Sequence, residues 1–215
     1  MKIVTSWDDG SVYDLKVAEL LDKHKLTGTF YIPAEWIVYM ENVNRNPLTL
    51  DQFLEISKKY EIGSHTVTHR HLTKLSIPDA RWEIHESKII LEEITGKEIT
   101  KFCYPRGYNN EAIRRIVEES GYKEARGVKV GSYIESDLAY NQPTTVHVYD
   151  GRKEYKGKGW LSYAREMLKM AKSSEQILAE HSGDAQIIYH LWGHSWEIER
   201  DNLWDELDEF LGEIA

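Results

Sequence analysis

Short apolar runs alternate along the chain with longer segments of helical period. Lys2 to Trp7 reads as a buried strand, and Gly28 to Pro33 as a second, rich in β-formers and stopped by proline. Further strands are predicted near Glu61 to Ser64, Ile99 to Tyr104, Lys123 to Val128, Thr144 to Tyr149 and Ala185 to Trp192. Helices are predicted between them. The first runs from about Tyr13 to Lys25, with Val17, Leu20 and Leu21 on one face. Thr49-Leu50-Asp51-Gln52 has the capping-box pattern and opens a helix to Lys59. Ser76 and Pro78 start a long helix that Gly96 ends; Asn110 caps one that closes at Gly121. Two more are expected from Trp160 to Leu178 and from Asn202 to Gly212. Ala34 to Pro47 reads as a long loop carrying Trp36, Tyr39 and Met40, suited either to walling a groove or to packing on the body. Strands alternating with helices predict parallel βαβ units, an α/β fold. The length of 215 residues fits one domain over 1–215.

The polar clusters fall in a pattern. Asp8-Asp9, His65, Pro105-Arg106 and His194 each follow a predicted strand. In a β/α barrel those carboxyl ends share one face, where active sites are built. His65 and His69, four apart, can turn both imidazoles to one centre on a helix face or in a tight loop. By themselves they could equally be solvent-facing or packed. Two adjacent carboxylates at the end of the first strand are unfavourable to pack unless a cation or a proton lies between them. Together, His65, His69 and one aspartate make a three-ligand site with room for water.

Composition narrows the partners. Hydrophobic content of 41% with 11% aromatics is globular, and Lys+Arg 27 against Asp+Glu 36 gives a net charge of -9. That balance argues against nucleic acid. The single cysteine, Cys103, has no partner for an internal disulfide and reads as a buried strand residue. No apolar stretch reaches membrane-spanning length and no signal peptide is visible, so the expectation is a cytoplasmic protein without a membrane partner. Neither a dinucleotide fingerprint nor a P-loop follows a strand.

Ser6-Trp7-Asp8-Asp9-Gly10, Ser64-His65-Thr66-Val67-Thr68-His69, Phe102-Cys103-Tyr104-Pro105-Arg106-Gly107 and Trp192-Gly193-His194-Ser195 occur in that order. This series resembles the polysaccharide deacetylase family (the NodB-homology, carbohydrate esterase family 4 group). The resemblance implies a distorted (β/α) barrel of about seven parallel strands. It implies that Asp9, His65 and His69 bind a divalent metal, Zn2+ by default, with Co2+, Ni2+ or Fe2+ also accommodated. It implies Asp8 as general base, His194 as general acid and the backbone N–H of Arg106 as an oxyanion donor. Pro105, Arg106 and Trp192 would line the substrate.

The chain departs from the family pattern in three places. Cys103 stands where the family often has an arginine that orients the base, and Arg106 is the candidate replacement. His190 competes with His194 for the acid role, with His194 favoured by its place at the strand end. The family's late Asp/Trp stretch has no clear counterpart, Asp137 being nearest. His71 could join the site but reads better as exposed. His24, His85, His147 and His181 read as ordinary packed or solvated histidines.

The implied reaction is hydrolysis of a linear amide, N-deacetylation of an amino sugar in an oligo- or polysaccharide. The alternatives are a small non-sugar amide or cyclic imide, and a catalytically silent glycan- or metal-binding barrel. The same ligand set serves Fe(II) oxygenases, but the βα alternation does not fit their usual fold. A homo-oligomer is possible on this reading.

Overall fold

The computed structural model describes residues 1–39, 46–180 and 186–215. Seven strands, β1 (Lys2–Asp8), β2 (Thr29–Ile32), β3 (Glu61–Ser64), β4 (Lys101–Cys103), β5 (Glu124–Arg126), β6 (Val146–His147) and β7 (Ile188–Gly193), form one sheet in the order β5-β4-β3-β2-β1-β7-β6. Every neighbouring pair is parallel. The sheet curls into a distorted (β/α) half-barrel, as expected. Around it lie helices α1 (Asp14–Lys23), α2 (Ala34–Tyr39), α3 (Leu50–Lys59), α4 (Ile77–Thr95), α5 (Glu111–Glu119), α6 (Trp160–Glu180), α7 (Ser195–Asp201) and α8 (Trp204–Ile214).

The helix signals act as the local chemistry demands. Thr49 and Gln52 form the reciprocal capping box of α3. Ser76 caps α4, and Gly96, at φ 67°, ends it in the left-handed conformation. The Asn110 side chain accepts the Ile113 N–H at the start of α5.

The strand period of two sorts side chains between faces. Trp7, Phe30, Ile32 and Phe102 belong to the fully buried core with Val17 and Leu21 of α1, Phe53 of α3, and Ile84 and Leu91 of α4. The alternate positions Lys2, Val4 and Ser6 of β1 line an interior cavity with Tyr31, Arg126 and His190. The barrel interior is therefore polar where the outer layer is apolar.

Five expectations need correction. Residues 34–39, expected as loop, form α2, because the Ala34 and Glu35 N–H groups are satisfied by the carbonyls of Thr66 and Val67, a long-range cap invisible in local sequence. A separate helix, α7, precedes α8, which runs to Ile214 rather than Gly212. β6 keeps only Val146–His147, and β7 starts at Ile188. Ala185, Met40, the side chain of Tyr39, and His181 lie outside the described residues.

Candidate active site

Asp8, the last residue of β1, points into the barrel, and Asp9 turns away in the left-handed region at φ 82°. Gly10 follows at φ 61° against Ile32, a position where a side chain would be strained. The two carboxylates are thus aimed differently by an abrupt backbone turn, and both are almost fully buried.

The histidine pair sits in a tight loop after β3, not on a helix. Thr66 and His69 are both left-handed, at φ 70° and 60°. Such backbone is sustained only when its surroundings over-determine it. Here the Thr66 hydroxyl accepts the His69 N–H at 3.0 Å. Buried Glu83 of α4 accepts the N–H groups of Val67 and Thr68, at 3.0 and 2.9 Å, and the Thr68 hydroxyl.

Asp9 Oδ1 lies 3.7 Å from His65 Nε2 and 3.4 Å from His69 Nε2. Asp9 Oδ2 accepts the Trp196 indole N–H at 3.1 Å. His65 Nδ1 is 2.7 Å from the Cys103 carbonyl and donates to it, which leaves the Nε2 lone pair facing Asp9. Burial, then the neighbouring His69, push the His65 pKa well below its ordinary value and keep the ring neutral. Two imidazoles and a carboxylate with ligand atoms within 4.8 Å of one another fit a divalent cation of the zinc class. Trp36 of α2 borders the site, its ring 5.3 Å from that of His69.

Asp8 is held by a residue that sequence reasoning missed. Its Oδ1 pairs with the guanidinium of Arg126 on β5, and the Cys103 thiol approaches Oδ2 at 3.6 Å. Arg106, the candidate for that part set against a plain surface arginine, is exposed in the turn after β4. Burial raises the Asp8 pKa and Arg126 pulls it back, leaving it above the ordinary carboxylate value.

His194 Nε2 stands 3.8 Å from Asp9 Oδ2, and its Nδ1 donates to Glu197 Oε2 at 2.6 Å. Burial disfavours its cation, but Asp9, Glu197 and Asp8 outweigh burial and its pKa is raised. His147, given no role from sequence, places Nε2 3.1 Å from the same Glu197 oxygen. The Arg152 Nε–H donates to His147 Nδ1 at 3.1 Å, so the neutral ring carries its proton on Nε2, towards Glu197. Asp14 of α1, also missed, accepts the Ser195 hydroxyl at 2.5 Å beside His194, and burial raises its pKa strongly.

The other candidates fall elsewhere. His190 is buried one layer below, bonded through Nε2 to the Ser6 hydroxyl at 2.8 Å. Trp192 is only 2% exposed and stacks on His147 at 3.8 Å. Pro105 is buried, while His71 stacks on Tyr108 at 4.4 Å. Asp137 is exposed on a separate groove with Glu111 and Arg114. Among the described residues no helix is long and apolar enough to cross a membrane.

The chain is similar in sequence and in fold to known proteins. A peptidoglycan-N-acetylglucosamine deacetylase of Bacillus cereus is 31% identical over 123 residues, covering 56% of this chain and 54% of the relative. The chain thus spans about half the length of that curated relative. The deacetylase PplD of Streptococcus pyogenes, solved with acetate, superposes with a TM-score of 0.59 at 23% identity, over 65% of this chain and 62% of that one. A carbohydrate esterase family 4 pseudoenzyme of Bacillus anthracis superposes over 100% of this chain and 61% of its own, with a TM-score of 0.65 at 16% identity. At these identities the two solved structures show a shared fold. The profile of the polysaccharide deacetylase family matches residues 1–125, from the paired aspartates through the histidine loop to β5, and the chain belongs to that family.

Proposed function

We propose that this chain is a metal-dependent amide hydrolase that removes acetyl groups from an N-acetylated amino sugar in an oligo- or polysaccharide. The observation that carries the reading is the convergence of Asp9, His65 and His69 beside Asp8 and His194 at one end of the barrel. Asp9, His65 and His69 would hold the ion, zinc by donor type, with cobalt, nickel or iron as other occupants. A divalent ion held there supplies Lewis acidity to water and to the amide carbonyl.

The chain's own groups supply the rest. Asp8, with a raised pKa and a fixed guanidinium partner, is poised to take a proton from attacking water. His194 presents Nε2 towards the site because Glu197 occupies its Nδ1, and its raised pKa keeps a proton available for the departing amine. The turn Pro105–Gly107, with Arg106 left-handed at φ 59°, offers backbone N–H as a second donor to the oxyanion. Residues 1–215 would act as one catalytic unit.

The solved pseudoenzyme has the same fold, so fold alone does not decide activity. The complete set Asp8, Asp9, His65, His69 and His194 favours an active member over a silent binding barrel. The test is acetate release from N-acetylglucosamine oligomers by metal-loaded protein, with a chelated control and a panel of simple amides and imides. Metal-dependent acetate from the sugars is the expected result. Hydrolysis confined to the panel would move the substrate to small amides, and silence with metal bound would overturn the hydrolase reading.

A further inference from the structure

Cys103 and Arg126 are Cα partners across the parallel β4–β5 ladder. Both side chains enter the barrel, both are buried, and both reach Asp8: the thiol at Oδ2, the guanidinium at Oδ1. Arg126 is seated for this task. Its guanidinium carbon lies 4.6 Å from the centre of the Tyr31 ring and 5.1 Å from that of Trp192, and its Nη1 donates to the Gly127 carbonyl at 3.1 Å. Aromatic faces and a carbonyl hold a planar cation in one orientation, which a lysine could not reproduce. Trp192 in turn lies against His147, so its enclosed ring serves the two polar networks rather than solvent.

Adjacent strands are about 4.8 Å apart, so paired positions 103 and 126 open onto the same small volume beside Asp8. That volume holds one guanidinium. We infer that Arg126 is the positioning residue of the base in this chain, and that positions 103 and 126 are alternative mounts for a single guanidinium, Cys103 being the small residue that leaves room for it. The catalytic part of this inference rests on the deacetylase reading; the pairing part does not.

The experiment compares Arg126→Ala, Arg126→Lys, Cys103→Arg and the double variant Cys103→Arg/Arg126→Ala. Acetate release gives kcat and KM, and urea unfolding gives stability. Arg126→Ala should lower kcat about 100-fold or more with KM changed only a few-fold, because the group acts on Asp8 and not on the sugar. It should also lower the urea midpoint, since it leaves a buried carboxylate unpaired. Arg126→Lys should recover stability better than kcat. The double variant should regain at least about tenfold in kcat over Arg126→Ala, together with part of the midpoint. Cys103→Arg alone, with two guanidinia in one space, should be less stable than the double variant.

A double variant no better than Arg126→Ala in either readout would overturn the exchange. A fall in KM affinity alone would overturn the positioning role. Should the parent hydrolyse nothing, a urea double-mutant cycle of Arg126→Ala with Asp8→Asn still reads the pairing, and additive effects would refute it.

Discussion

His147 gives the clearest quantitative test, because its ring is buried and its Nδ1 accepts from Arg152, which leaves it a neutral group enclosed by the fold. Burial is the main cause that pushes its pKa down to about 3, against about 6.5 for an unperturbed histidine. A histidine with a depressed folded pKa binds fewer protons folded than unfolded between those two values, so stability rises with pH through that window and is lost as pH falls below about 6.5. Between about pH 7 and about pH 5 the unfolded ring gains most of a proton while the folded ring stays neutral. Linkage over that interval amounts to about 2 kcal/mol from this one group. His147→Gln removes the titration while keeping a polar atom near Glu197. Urea unfolding of parent and variant at the two pH values is the assay. His65 and His190 do not touch Glu197, are common to both proteins and cancel in the difference, while His194, which shares Glu197 with His147, is titrated separately by NMR in each protein so that its contribution is subtracted. The parent should lose about 2 kcal/mol more than the variant on acidification. Equal losses would refute the buried, neutral state of the His147 ring in the folded protein.

Other outcomes follow from the same contacts. Asp8→Asn should retain bound metal by elemental analysis while turnover falls at least about 100-fold; retention of most activity would exclude Asp8 as base. His194→Ala should lower kcat more than His190→Ala, since His190 bonds Ser6 below the site, and the reverse order would exchange the two assignments. Glu83→Gln should weaken metal binding roughly 10- to 100-fold by competition titration, because Glu83 holds the loop that carries both histidines.

The alternation of strands and helices, the caps of α3, α4 and α5, and the clustering of Asp8, Asp9, His65 and His194 at strand ends could all be read from the chain alone. These features depend on contacts between residues close in sequence, and on the rule that parallel strands present their carboxyl ends together. The histidine spacing pointed to one centre without saying whether a helix or a loop carries it. That choice belongs to Glu83, fourteen positions beyond His69, and to the left-handed backbone it sustains.

The tertiary structure decided which groups support the site. Position 103 showed the absence of an arginine, but no local signal leads from Cys103 to Arg126. Their opposition follows from the register of β4 with β5, and the reach to Asp8 from the curl of the sheet. Glu197 is three residues past His194, a spacing with meaning only once α7 exists, and α7 was not predicted. His147 joins them because β6 pairs with β7 and sets its ring on Trp192. Residue type and local order therefore announced the candidate groups of the site, whereas their partners were settled by packing. A buried charge accepts whichever donor the fold brings within reach, and sequence position does not constrain which strand supplies it.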